Sequence, residues 1–148
     1  MTVLWRISNF EDLNGLGGLH VEGRWHPVGN KIVYLSEHPA LALLEVLVNL
    51  EIDREDLPET FKLLKISVPD GIRDFEDAQI KTNWKNNISV TQNIGFSWLN
   101  AGNTPFLRVP SAILPESTNM LLNPNHKEAS KVRIVDVIPF PFDERLAD

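Results

Sequence analysis

Glu45 is the one charged residue in the run Ala40-Leu41-Ala42-Leu43-Leu44-Glu45-Val46-Leu47-Val48-Asn49-Leu50. The run follows Pro39, which suits the first turn of a helix. It is apolar almost all round, which predicts a buried helix from about His38 to Leu50. Leu41 and Val48 share the side of that helix that carries Glu45. An ionised carboxylate in such company is costly unless it is paired or hydrogen-bonded, so Glu45 needs a partner or a task. Just upstream, Gly23-Arg24-Trp25 and Lys31-Ile32-Val33-Tyr34-Leu35-Ser36 supply an arginine, aromatic rings and a short strand. Together these residues point to a site for a cationic, aromatic, phosphate-bearing ligand.

Each of these residues also has a plainer reading. The fork of Arg24 can clamp a pyrophosphate, or the side chain can be a turn residue stacked on Trp25. Arg6 can touch a phosphate or ribose, or lie along Trp5 at a surface. Tyr34, the only tyrosine, can stack on a planar ligand or serve as a core aromatic with a satisfied hydroxyl. Ser111 follows Pro110 at a strand break, and Asn119 and Asn123 are turn residues by default. Other chemistries find less support. The histidines 20, 26, 38 and 126 are scattered and form no two-ligand helical motif, so no metal site is expected. No G-x-S-x-G elbow is present. Asn14-Gly15-Leu16-Gly17-Gly18 has no GxGxxG pattern and reads as a mobile surface loop, with a lid over a ligand as the alternative.

The elements that must position these residues are short. Strands are predicted over Val3 to Ile7, Lys31 to Leu35, Thr60 to Val68, Phe106 to Val109 and Val132 to Ile138. Ala112 to Leu114 continues the fourth beyond Pro110-Ser111, and Asn119 to Pro124 is a strand or a turn. Gly23 to Asn30 is turn-rich, Glu51 to Glu59 is an acidic connection, and Asn83 to Asn87 is loop-like. Phe75 to Lys81 reads as a short helix. Thr91 to Ala101 reads as an amphipathic helix with Ile94 and Trp98 facing inward and Gly102 as its stop. Strands and helices do not alternate regularly enough for a doubly wound sheet. The expected class is α+β, with a mixed, mainly antiparallel sheet and flanking helices around a cleft.

A chain of 148 residues, 43% hydrophobic and 23% charged, is expected to be a single domain, residues 1–148, with a core of its own. A net charge of −6 argues against direct nucleic-acid binding and suits a small-molecule enzyme or a basic partner. The absence of cysteine rules out disulfides and suits a cytoplasmic protein. No apolar run reaches membrane-span length, and the N-terminus lacks a signal pattern. Ile138-Pro139-Phe140-Pro141-Phe142 could be an interface or could cap the core.

The order of the motifs says more than any one of them. Gly23-Arg24-Trp25-His26-Pro27-x-Gly29, then Ile32-Val33-Tyr34-Leu35-Ser36, then Ala40 to Leu47 around Glu45, then Val109-Pro110-Ser111, resembles the RES domain. That family is named for an arginine, a glutamate and a serine, which here match Arg24, Glu45 and Ser111. Arg6, Tyr34 and the late Asn119-x-x-x-Asn123-Pro124-x-His126 also fit its pattern. The resemblance spans nearly the whole chain. It implies an ADP-ribosyltransferase-like fold and an NAD⁺-consuming toxin of a bacterial type II toxin–antitoxin pair. NAD⁺ would be the substrate, with no separate cofactor. The partner it implies is an antitoxin with an Xre-like helix-turn-helix domain, and a toxin homodimer within a hetero-oligomer is compatible with it. In the wider ADP-ribosyltransferase pattern the catalytic glutamate comes late, on a strand. Here it comes eleven positions after Tyr34 on a predicted helix, so the likeness extends to the chemistry and not to the placement of Glu45.

Cleaving the nicotinamide–ribose bond develops positive charge on the ribose. On this reading Arg24 and Arg6 clamp the pyrophosphate, and Tyr34 and Trp25 hold the nicotinamide. Glu45 stabilises the ribose cation or orients the acceptor. Ser111 bonds the ribose or Glu45, and Asn119 joins the ligand contacts. The alternatives are ADP-ribosylation of a specific protein, a non-catalytic nucleotide-binding domain in which Glu45 is a satisfied core carboxylate, and a plain interaction protein.

Overall fold

The structure, a computed structural model, describes residues 2–50, 59–72, 75–139 and 141–146. Seven strands form one sheet: β1 (Thr2–Ser8), β2 (Val33–Ser36), β3 (Lys62–Val68), β4 (Phe75–Asp77), β5 (Phe106–Pro110), β6 (Thr118–Leu122) and β7 (Arg133–Pro139). The helices are α1 (Pro39–Leu50) and α2 (Ile88–Ala101). The strand order is β4-β5-β6-β2-β1-β3-β7. Only β4 and β5 pair in parallel. The class is α+β with a mainly antiparallel sheet, as the sequence implies.

Period-two burial builds the core. Leu64, Ile66 and Val68 of β3 are buried and share a face. They join Leu4, Val33, Leu35 and Leu122 in the larger apolar cluster. β6 runs Met120-Leu121-Leu122, buried on both faces, which is how a central strand reads. Leu121 turns to a second cluster with Trp25, Trp98 and Val109. The register Leu35↔Met120 and Ser36↔Asn119 sets Ser36 beside Asn119.

α1 begins as expected, one residue after His38. The His38 ring nitrogen Nδ1 accepts the Ala40 N–H at 3.1 Å, and Pro39 fills the first position, where no N–H is needed. The helix is not buried all round. It packs on β1 and β2, which buries Leu41 and Ala42, while Val48 stays 50% exposed. One sheet face can cover only one side of a helix. α2 starts at Ile88, three residues earlier than predicted. It ends at Gly102, whose φ of 65° is the left-handed cap that glycine adopts without strain.

Three expectations fail for tertiary reasons. Phe75–Asp77 is a strand, not the start of a helix: the open edge of β5 offers backbone partners, and Phe75↔Phe106 sets the register. Ala112 to Leu114 does not continue β5, because the N–H groups of Ile113 and Leu114 turn inward onto the Ser111 hydroxyl, both at 3.2 Å. The glycine segment is not a free loop: Gly29 and Asn30 donate to the Gly18 carbonyl and Ile32 donates to that of Gly15. Most of the acidic connection, residues 51–58, lies outside the described residues, as does Phe140. Phe142 is buried beside Phe61, their rings 6.1 Å apart, whereas Ile138 is exposed. Among the described residues no helix is long and apolar enough to cross a membrane.

Candidate active site

β1 and β2 meet in register only at Trp5↔Ser36. Beyond that pair the strands part. Arg6 and Ile7 on one side, and Tyr34 and Leu35 on the other, line a cavity of about 430 Å³ instead of pairing. That size is ordinary for a small-molecule site. Gly17, Gly18, Val21, Glu22, Gly23 and His26 form one wall, α1 contributes Ala42, Glu45 and Val46, and β6 contributes Asn119. The glycine segment is therefore a built wall of the cavity.

Glu45 has its partners. Ser111 Oγ donates to Glu45 Oε1 at 2.6 Å, and Asn119 Nδ2 donates to the same oxygen at 2.8 Å. Oε2 takes no hydrogen bond among the described residues. Ser111 is fully buried and does not line the cavity. Its oxygen accepts the Ile113 and Leu114 N–H groups, so its single hydrogen is committed to Glu45. Asn119 is held in turn by Ser36, whose hydroxyl donates to Asn119 Oδ1 at 2.8 Å. Replacing Ser111 by Ala removes the acceptor of two backbone donors as well as the Glu45 bond. We expect it to cost about 1–3 kcal/mol of stability, read by chemical denaturation.

Tyr34 is fixed as firmly. His26 Nε2 stands 2.9 Å from the Val21 carbonyl oxygen, which can only accept, so Nε2 carries the hydrogen. Nδ1 is then an acceptor, and the Tyr34 hydroxyl donates to it at 2.7 Å. The same hydroxyl accepts the Trp25 N–H at 3.2 Å. Burial pushes the Tyr34 hydroxyl above its ordinary range, against the opposing Trp25 N–H and the Arg24 charge, so it stays neutral. Gly23 is required here: a Cβ would collide with the Tyr34 hydroxyl.

Burial also lowers the proton affinity of His26 below the ordinary histidine value of 6.5, against the Val21 carbonyl, Glu22 and the Gly18 carbonyl. Below pH ~6.5 the unfolded chain therefore binds more protons at this residue than the folded one does. The contribution of His26 is complete above that pH and is lost as pH falls from it towards the lower folded value. We expect the melting temperature to fall between pH 7.5 and pH 5, and to fall less in His26→Gln, measured by thermal unfolding at both pH values.

Arg6 lines the cavity and donates through Nη1 to the Asp12 carbonyl at 2.9 Å. Burial lowers its proton affinity, and Asp12 opposes that shift. Arg24 and Trp25 are not at the cavity. Arg24 donates to the Lys85 carbonyl at 3.0 Å, and its guanidinium lies 5.9 Å from the Trp84 ring centroid. Trp25 is 3% exposed and packs on Trp84 and Trp98 in the second cluster. The structure thus brings Glu45, Tyr34, Arg6 and Asn119 to one cavity, with Ser111 directly behind Glu45. Arg24 and Trp25 stand one layer away. Asn123 is a buried turn residue whose side chain accepts the Asn125 N–H.

Sequence reasoning missed His26 and Ser36 as positioning groups. His26 was weighed only as a metal ligand, and among the described residues no three His, Asp or Glu side chains are placed to hold an ion. A usable signal existed for Ser36, since it lies two residues from Tyr34 on one strand and so shares its face.

Known proteins agree with this architecture. A family model described as the RES domain matches residues 3–143. Toxin Res of Pseudomonas putida is 43% identical over 146 residues, covering 97% of this chain and 99% of that protein. The Prs ADP-ribosylating toxin of Sphingobium sp. is 34% identical over 159 residues, covering 98% and 96%. The crystal structure of the M. tuberculosis MbcT-MbcA toxin-antitoxin complex contains a chain similar in fold, with a TM-score of 0.71 over 98% of this chain and 86% of that one, at 14% identity. With its family model spanning nearly all of the sequence and its close relatives matched over almost their full length, this chain belongs to the RES domain family.

Proposed function

We propose that this chain is the toxin of a bacterial type II toxin–antitoxin pair, acting in the cytoplasm by cleaving the nicotinamide–ribose bond of NAD⁺. The observation that carries the reading is the Glu45 carboxylate. It is pinned through one oxygen by two donors, with the other oxygen unbonded among the described residues, on the wall of a cavity that also holds Arg6 and Tyr34. In the reaction the bond between ribose C1′ and the nicotinamide nitrogen breaks. Its electron pair leaves with the ring, which becomes neutral, and positive charge develops on the ribose. A fixed carboxylate stabilises that charge without having to reorganise. Arg6 suits the pyrophosphate, and the immobile Tyr34 ring suits the flat nicotinamide. Arg24 would reach the pyrophosphate only by leaving Lys85, so its contribution is to the electrostatics around Tyr34 unless the ligand draws it in.

Water adding to C1′ gives ADP-ribose. Transfer to a protein side chain is the second reading, favoured by the printed name of the Sphingobium relative. The partner that silences the chain is an antitoxin with an Xre-like domain, whose C-terminal segment would fill the cavity. The fold shared with a chain from a toxin-antitoxin complex supports an antitoxin partner as such. The test is to incubate the purified chain with NAD⁺ and follow nicotinamide and ADP-ribose by chromatography. Equal release of both supports hydrolysis. Nicotinamide without free ADP-ribose supports transfer. No release from folded protein overturns the reading.

A further inference from the structure

We propose that Ser36 is a positioning residue of this site: Glu45 sets which way round the Asn119 amide stands, the buried Ser36 hydroxyl anchors the other end of that amide, and through Asn119 it holds the Glu45 carboxylate.

Ser36 is paired with strands on both sides, with Trp5 of β1 and with Asn119 of β6. It therefore sits at the point where the sheet begins to part, and its place is set by backbone bonds. Its side chain is buried and donates to Asn119 Oδ1 at 2.8 Å. A side-chain amide can turn over with almost no change of shape, exchanging its acceptor oxygen for its donor NH₂. Its neighbours decide the orientation. On one side Glu45 Oε1 already accepts the only hydrogen of Ser111, so it is an acceptor and can take only a donor from Asn119. That turns Nδ2 to Glu45, at 2.8 Å, and Oδ1 to Ser36. On the other side Ser36 is the only donor to Oδ1 among the described residues. Without it the amide is held at one end, and Glu45 loses the fixed second donor on Oε1. Bonds in such a chain strengthen one another, so the loss reaches the carboxylate.

The structural claim needs no substrate, and its effect on rate rests on the NAD⁺ reading. The experiment therefore has two arms. The first follows hydrogen exchange of the Asn119 side-chain amide by ¹⁵N NMR, the signal being assigned by its loss in Asn119→Ala. We expect slow exchange in the parent, exchange at least about tenfold faster in Ser36→Ala, and slow exchange again in Ser36→Thr, which keeps the hydroxyl. The second arm measures turnover of NAD⁺. Ser36→Ala should lower kcat about tenfold with KM within about twofold, and should add less than about twofold once Asn119 is already Ala. If Ser36→Ala does not fold, Ser36→Cys, a similar volume with a weak donor, is read in the same way. Unchanged amide exchange, or effects of the two substitutions that multiply, overturns the proposal. A parent that releases no nicotinamide defeats the NAD⁺ reading alone, and amide exchange then decides the role of Ser36.

Discussion

Replacing Glu45 by Gln should lower NAD⁺ turnover on the order of 10²–10³-fold, the usual cost of removing one group that meets developing charge. The geometry makes this substitution unusually informative. Ser111 and Asn119 both donate to Oε1, at 2.6 and 2.8 Å. The carbonyl oxygen of Gln can accept both, and its NH₂ takes the place of Oε2. The two hydrogen bonds and the side-chain volume therefore survive, and only the charge is lost. Melting temperature should stay within about 4 °C of the parent, since a ΔΔG under about 1 kcal/mol shifts it by no more than that in a chain of this size. Turnover by Glu45→Gln within threefold of the parent would show that the charge is not used. A cooperative unfolding far below the parent would show that Glu45 is structural. The measurement is nicotinamide release under saturating NAD⁺, beside a thermal melt of each protein.

A large loss of stability is expected away from the carboxylate, at Gly95 in the middle of α2. A Cβ there would run into the backbone carbonyl of Trp25, with the carbonyl carbon 2.8 Å away. Two opposing effects must be weighed. Alanine favours the helix over glycine by about 1 kcal/mol. Overpacking typically costs about 1–3 kcal/mol, and here the clash is with backbone, which no rotamer change relieves. With the backbone clash at the upper end of that range, it should win by about 2 kcal/mol, a fall of about 4–8 °C in melting temperature for a chain of this size. Gly71→Ala, where a Cβ meets nothing, should move it little.

The helix cannot simply back away. Thr91 donates to the Arg24 carbonyl and Gln92 donates to that of Gly23, so α2 is laced to the segment that carries His26. Displacing that segment disturbs the Tyr34–His26 bond. Activity of Gly95→Ala should therefore fall even at temperatures where the protein remains folded. Full activity at 20 °C would show that the two regions are uncoupled.

How much of this was legible in the residues varies from place to place. The α1 boundaries followed from Pro39 and the apolar run. The β3 strand followed from its period-two pattern, because burial is written in side-chain type, whereas Asn119 to Pro124 read as a strand or a turn until the sheet made it β6. The isolated charge of Glu45 marked it at once, since a carboxylate in such a run must be compensated. Phe75–Asp77 was misread because a three-residue strand exists only by virtue of the neighbouring edge, and nothing local encodes that edge. The one-sidedness of α1 was equally hidden. A uniformly apolar helix does not say how many of its sides will be covered.

The sequence by itself therefore determined the class, the strand and helix positions with strong periodicity, and the residue types that could do chemistry, Glu45, Arg24, Arg6 and Tyr34, with Ser111 marked by the likeness to the RES domain. The tertiary structure alone decided which of them meet. It placed Ser111 and Asn119 on one oxygen of Glu45, Ser36 on the other end of the Asn119 amide, and His26 on the Tyr34 hydroxyl, and it left Arg24 on Lys85. The reason is that 66 residues separate Glu45 from Ser111 and 74 separate it from Asn119. Contacts at that range depend on sheet order, on register and on where two strands part, and a hydrogen bond sensitive to a few tenths of an ångström cannot be read from spacing along the chain.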